Sequence, residues 1–253
     1  MHRFFIPPHW IDEDKVIIRG DQAHQLYHVL RSKLGDRIVV LDNSGWEYEV
    51  QLQHLSKEAV EGRILVCRPS SLIPKYNLTL FQAVLKGNKF DFILQKGTEI
   101  GITDFVPILC QRCIVTESEP VNSRKMQRWQ KIIREAAEQC RLGKLPQIHP
   151  TLSFDQACQK AVGVSLIPWE EEKSTSLRSL LHSDIFLQQI TGPPKINVFI
   201  GPEGGFSREE VDLSRSYGII PVTLGSRILR AETAGLVAAT IVLYELGELG
   251  DGL

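Results

Sequence analysis

The sequence predicts an α/β chain in two unequal parts, a β-rich module over residues 1–70 and a longer part over 75–253 with a mostly parallel sheet. Three observations predict it. Short strand-like runs crowd the first part; beyond Pro69-Ser70-Ser71-Leu72-Ile73-Pro74, apolar β runs alternate with helical patterns; and two glycine-bearing loops each follow a β run and open into a helix.

In the first part, residues 4–6, 16–19, 37–42, 47–52 and 60–67 are strand-like, Asn43-Ser44-Gly45 is a hairpin turn, and Asp21 caps a helix running to about Arg31. That is a small barrel or sandwich. After the linker the order is strand 78–85, helix 89–99, strand 105–109, a basic helix, strand 147–149, helix 154–161, strand 164–168 and strand 196–200. Glu170-Glu171-Glu172-Lys173 reads as a solvated excursion, and Gly192-Pro193-Pro194 punctuates the approach to the next strand. Between Arg124 and Lys144 seven Lys/Arg face two Glu, while Met126, Trp129, Ile133, Ala136 and Cys140 recur at helical spacing. That helix is either a phosphate contact or a solvated face. The last helix, 232–246, is apolar nearly all round, so it is buried on more than one side, in its own core or against a partner chain.

Composition bounds the function without choosing it. At 253 residues, 43% hydrophobic and 23% charged, the chain is ordinary globular protein. No run is long enough to span a membrane and no signal peptide begins the chain, so a cytoplasmic location and no membrane partner are expected. Cys67, Cys110, Cys113, Cys140 and Cys158 are expected as reduced thiols; Cys110-x-x-Cys113 lacks a second ligand pair, and no metal is expected. A net charge of −1 does not advertise a nucleic-acid binder, and the basicity is local.

The two loops carry the chemistry. Gly201-Pro202-Glu203-Gly204-Gly205-Phe206-Ser207 follows a β run at 196–200, and Leu224-Gly225-Ser226-Arg227-Ile228-Leu229-Arg230-Ala231-Glu232-Thr233-Ala234 follows one at 219–224. Both lie where open α/β sheets bind ligands. Gly201, Gly204, Gly205 and Gly225 let a ligand approach the backbone or let it reach positive φ. The first loop lacks the Lys-Ser/Thr of a P-loop and the G-x-G-x-x-G of a dinucleotide fold, which argues against phosphate cradling.

These loops, with Arg3-Phe4-Phe5, His24-x-x-x-His28-Val29-Leu30-Arg31 and the run from Lys86-Gly87-x-Lys89-x-Asp91 to Thr98-Glu99-Ile100-Gly101, resemble the RsmE-type SPOUT methyltransferases along almost the whole chain. Such enzymes methylate N3 of a uridine in small-subunit ribosomal RNA with S-adenosylmethionine. The resemblance implies a PUA-like β-barrel over 1–70 that helps hold RNA, and a SPOUT methyltransferase domain over 75–253 with a C-terminal trefoil knot that pairs as a homodimer. The substrate it implies is the RNA or the assembled small ribosomal subunit. Two departures stand out: Cys110-Gln111-Arg112 replaces Ser-Glu-Arg, and Arg141 directly follows Glu138-Gln139-Cys140.

The cofactor site implied comprises Leu166, Pro168, Ile200, Gly201, Pro202, Glu203, Gly204, Gly205, Leu224, Gly225, Ile228, Leu229, Arg230, Thr233 and Ala234. Arg230 is the first choice for catalysis, stabilising charge on uracil, with Glu203 accepting the proton or offsetting the sulfonium. Glu232 either joins them or caps its helix. RNA contact falls to Arg3, His24, His28, Arg31, Lys86, Lys89, Arg112, Arg128 and Arg227. His24 and His28 have a plainer alternative, packing beside Leu26 and Leu30. The rival functions are a non-catalytic RNA-binding protein and a SPOUT enzyme acting on another nucleotide.

Overall fold

The computed structural model describes residues 1–114, 123–189 and 195–249, so Gly192-Pro193-Pro194 lies outside the described residues. The chain forms two compact units, Met1–Ile73 with Arg134–Leu145, and Pro74–Ile133 with Pro146–Leu253.

The first unit is a six-stranded curled sheet of β1 (Arg3–Phe5), β2 (Ile11–Asp12), β3 (Lys15–Arg19), β4 (Arg37–Leu41), β5 (Trp46–Leu55) and β6 (Ala59–Pro69) in the order β1-β4-β5-β6-β3-β2. Only β1–β4 is parallel. Alternate residues such as Ile38, Val40, Val50 and Leu52 point into one core with Phe4, Ile18 and Leu26. Register shifts at Glu49/Val50 and Leu52/His54 bend β5 over β6. Gly62 sits at this bend because a Cβ there would lie 2.4 Å from Val50 Cγ1.

Asp21 does not cap the helix. Arg19 precedes the short α1 (Gly20–His24), Asp21 lies in its first turn, and the chain then widens into a π turn over Gln25–Val29. Residues 134–145 complete this unit: Ala137 packs with Phe5, Val39 and Leu41, and the Phe5 N–H donates to Glu138 at 2.9 Å. Burial pushes the Glu138 carboxyl up to about 7 despite that bond.

The second unit carries β7 (Asn77–Ala83), α2 (Lys89–Ile100), β8 (Asp104–Leu109), α3 (Ser123–Cys140, its first turns), β9 (Gln147–Ile148), β10 (Leu152–Ser153), α4 (Phe154–Lys160), β11 (Val164–Pro168), α5 (Leu177–Leu181), α6 (Asp184–Gln189), β12 (Lys195–Ile200), α7 (Arg208–Ser216), β13 (Ile220–Val222) and α8 (Ala231–Glu245). Every pairing in its sheet, ordered β10-β8-β7-β12-β11-β13 with β9 also beside β8, is parallel, as the β–α alternation predicts. Both faces are therefore apolar. Leu78, Leu80, Leu166, Val198 and Ile200 face a core shared with α2, α5 and α8; Phe81, Ile167 and Phe199 face α4 and α7, where the Phe81 and Phe199 rings stack at 4.4 Å.

Helices α5 and α6 were not expected from the sequence. A Ser176/Ser179 capping box starts α5, and Leu177, Leu180 and Leu181 bury its inner side. Helix α8 buries Ala238, Ala239, Val242 and Leu243 in its own core and leaves Ile241 and Tyr244 exposed. Among the described residues no helix is long and apolar enough to cross a membrane.

Candidate active site

The C-terminal ends of β11, β12 and β13 open into a cleft with two adjoining lobes, each about 460 Å³, that share Pro168, Glu170, Ile228, Leu229 and Ala234. Residues 201–206 of the first loop and Arg230 line one lobe, residues 224–227 of the second loop line the other, and Ile228 and Leu229 line both. Of the expected cofactor residues, Pro168, Ile200, Gly201, Pro202, Glu203, Gly204, Gly205, Leu224, Gly225, Ile228, Leu229, Arg230 and Ala234 line it. Two do not. Leu166 is fully buried in the sheet core two residues before the strand end, and Thr233 is exposed on the first turn of α8.

The first loop is held by the chain itself. Ser207 and Glu210 form a reciprocal capping box at the start of α7. Glu210 Oε1 also accepts the Gln111 N–H at 2.7 Å, while its Oε2 accepts the Ser207 N–H at 2.9 Å. Arg112 Nη1 donates to Gly204 O at 3.0 Å and Phe206 O at 3.4 Å. Of the glycines expected at positive φ, Gly205 (φ 68°) and Gly225 (φ 111°) adopt it, and Gly201 and Gly204 do not. Space is tight at those two, since a Cβ on Gly201 would lie 3.1 Å from the Phe206 ring and one on Gly204 3.3 Å from Arg112 Cβ.

Three charged groups of the cleft wall meet. Lys89 Nζ lies 3.0 Å from Glu203 Oε1 and 3.6 Å from Glu232 Oε2. Burial alone would raise Glu203, but its own backbone N–H and Lys89 outweigh it and hold the carboxyl below the usual range. The hydrogen bond to Glu203 raises Lys89 in turn. Glu232 lies in the first turn of α8, and no side-chain cap forms there. Arg230 lines the first lobe from an exposed position.

The residues expected to touch RNA divide. His24 and His28 are exposed with ring centroids 4.6 Å apart, so they do not pack into the core, and Arg31 (φ 51°), Lys86 and Arg227 are exposed as well. Four others are engaged elsewhere. Arg3 is 12% exposed and bonds Glu47 at 2.7 Å, where Arg68 binds the other oxygen; burial works against that carboxylate's charge, but the bonds from Arg68 and Arg3 hold it below the usual range. Arg112 holds the glycine loop, Lys89 bridges the two glutamates, and Arg128 pairs with Asp91, which also accepts the Trp129 indole N–H at 3.1 Å.

Sequence reasoning did not find the Lys89 bridge, the Glu170 side chain beside Gly205, or the anchoring by Glu210. The last had a signal, Ser207-x-x-Glu210 before an apolar position, whereas Lys89 and Glu203 lie 114 residues apart.

The RNA methyltransferase domain family matches residues 73–243, and the RNA methyltransferase PUA domain family matches 18–65. Fold and cleft thus define an RNA methyltransferase with a PUA module. Ribosomal RNA small subunit methyltransferase E of Synechocystis sp. is 35% identical over 241 residues, covering 94% of this chain and 75% of that protein. The enzyme of the same name from Bacillus subtilis is 29% identical over 248 residues, 97% of each. The crystal structure of ribosomal RNA small subunit methyltransferase E from Neisseria gonorrhoeae, bound to S-adenosyl methionine, matches with a TM-score of 0.82 at 30% identity, over 96% of this chain and 97% of that one. The chain belongs to the ribosomal RNA small subunit methyltransferase E family.

Proposed function

We propose that the chain transfers a methyl group from S-adenosylmethionine to N3 of a uridine in small-subunit ribosomal RNA, working as a homodimer through its C-terminal knotted segment. The observation that carries this reading is the cleft formed jointly by the two glycine loops, with an exposed arginine at its rim. Its residues fit the cofactor: each lobe is within the roughly 300–1,000 Å³ of small-ligand sites, its walls combine loop backbone and aliphatic side chains with charged groups, and Glu203 and Glu232 would supply negative charge to a cationic sulfonium. The bound cofactor supplies an activated methyl, so the chain's tasks are orientation and removal of the acceptor's proton.

The backbone of 201–205 and 225–229 orients adenine and ribose, while Ile200, Leu224, Ile228 and Leu229 form the apolar slot. Arg230 stabilises the O⁻ that develops on uracil as N3 loses its proton, because a guanidinium attracts that charge more strongly in the transition state than in the ground state. Glu203, held ionised by Lys89, is a weak base for an imide; its role is to offset positive charge, and the proton leaves to water. A paired uridine hides N3, so the target base is single-stranded or extruded. His24, His28, Arg31, Lys86 and Arg227 supply RNA contacts from exposed positions. Pairing with a second copy is supported by Ile228, 87% exposed, and by Ile241 and Tyr244 on the outer face of α8. Val242 faces the chain's own core.

The test is transfer of labelled methyl to small-subunit ribosomal RNA or intact subunits, with nucleoside analysis expected to return 3-methyluridine. Another methylated nucleoside overturns the uridine assignment. Absence of S-adenosylmethionine binding by calorimetry overturns the cofactor as well.

A further inference from the structure

We propose that Cys110 and Cys113 are a reversible thiol–disulfide switch acting on the first glycine loop, exchanging with low-molecular-weight disulfides of the glutathione class. A turn follows β8: the Cys113 N–H donates to Cys110 O at 3.0 Å, and the Cys110 N–H donates to Cys113 Sγ at 3.2 Å. A four-residue turn brings its end Cα atoms within about 7 Å, and a disulfide spans roughly 4.4–6.8 Å. The two residues between the sulfurs hold the cofactor loop: the Gln111 N–H is bound by Glu210, and the Arg112 guanidinium by the Gly204 and Phe206 carbonyls. Cys110 itself packs in the core with Phe206 and Val211.

The two thiols differ in the way exchange requires. Cys113 is partly exposed, and the hydrogen bond from Cys110 lowers its thiol; Cys110 is buried, and that same bond together with burial raises it. Nearby Cys158, pushed up to about 12 by burial, is a poor nucleophile. The Cys113 thiolate attacks one sulfur of the small disulfide, forming a mixed disulfide and releasing one thiolate, which takes a proton from water. Cys110, losing its proton to water, then attacks the Cys113 sulfur and expels the second thiolate. Two protein thiols are oxidised by two electrons and one small disulfide is reduced to two thiols. The new bond draws Cys113 Sγ off the Cys110 N–H and tightens the turn, so Gln111 and Arg112 move and the loop loses three anchoring hydrogen bonds.

The effect on cofactor affinity rests on the cofactor reading above, so the experiment carries one readout independent of it. The reduced full-length protein is titrated with oxidised glutathione, and its thiols are mapped by alkylation and peptide analysis. Amide exchange over 201–207 and S-adenosylmethionine affinity are measured before and after. The expected result is a Cys110–Cys113 linkage reversed by dithiothreitol, exchange over 201–207 and cofactor dissociation constant each raised about tenfold as the loop loses preorganisation, and a Cys113→Ser protein blind to the oxidant. Cys110 and Cys113 remaining alkylatable, a glutathione adduct that stops on Cys113, or a formed disulfide with unchanged exchange over 201–207 overturns the proposal. Should the reduced protein fail to bind the cofactor, the functional reading falls, and exchange still decides the switch.

Discussion

The two loops of the cleft, with three glycines in 201–207 and one in 224–230, have opposite support. Loop 201–207 is fixed before any ligand arrives, by the Ser207/Glu210 box, the Arg112 guanidinium and the Lys89 bridge to Glu203. Loop 224–230 has little of this: among the described residues Gly225 bonds Thr223 two positions back and no other, its Cβ direction is open space, and Ile228 stands 87% exposed. The lesson is a division of labour in which one wall is preorganised by the chain and the other is not. In the function proposed above, cofactor orientation would come from the first wall, and the step at the acceptor base from Arg230 at the end of the second.

Replacing Arg230 by Ala tests the second wall and carries the largest expected effect: turnover falls about 10²- to 10³-fold with RNA affinity little changed, as for removal of a transition-state stabiliser. Single-turnover methyl transfer measures it, and Arg230→Lys restores part of the rate, since it returns the charge without the planar fork. Equal losses in RNA affinity and rate would make this wall a binding element only. On the first wall, Glu210→Ala strands the buried Ser207 N–H and removes the acceptor of the part-buried Gln111 N–H, destabilising the fold by about 1–3 kcal/mol, read as a lower urea midpoint at unchanged slope.

Gly205→Val sharpens the comparison further. It forces a β-branched residue to φ 68°, at about 1–2 kcal/mol, and drives its Cβ toward the Glu170 carboxylate, so calorimetry should show S-adenosylmethionine affinity falling more than for Gly204→Val. Arg112→Ala removes two bonds to the loop and weakens cofactor binding by about 1 kcal/mol, a few-fold in the dissociation constant. Ile228→Ser has the smallest effect on folding, within about 0.5 kcal/mol by thermal unfolding, because the side chain is exposed. Light scattering or cofactor titration of the same variant should reveal the loss, and no change in either would leave the second wall without an occupant for Ile228.

Much of this was legible in the sequence because its signals are local. The β–α alternation specifies a parallel sheet, and the apolar runs 78–85 and 196–200 specify strands buried on both faces. The helical stripe of Trp129, Ile133 and Ala136 became buried as its spacing required. The two-residue strands β2 and β10 are too short to carry a period, and the π turn after His24 interrupts the helix that Leu26 and Leu30 suggest. Residues 177–181 did carry a cap and an i, i+3, i+4 apolar pattern, but five residues make a faint signal.

By itself the sequence determined the fold class, the two cleft loops and most of the residues that line them, since glycine spacing and strand-to-helix order are properties of neighbouring residues. Only the tertiary structure decided what each charge does. Arg3 went to Glu47, Arg112 to the Gly204 carbonyl, Arg128 to Asp91 and Lys89 to Glu203, while Arg230 remained exposed at the cleft. A cation's role depends on which carboxylate or carbonyl the fold brings within about 3 Å of it, and that partner can stand a hundred residues away.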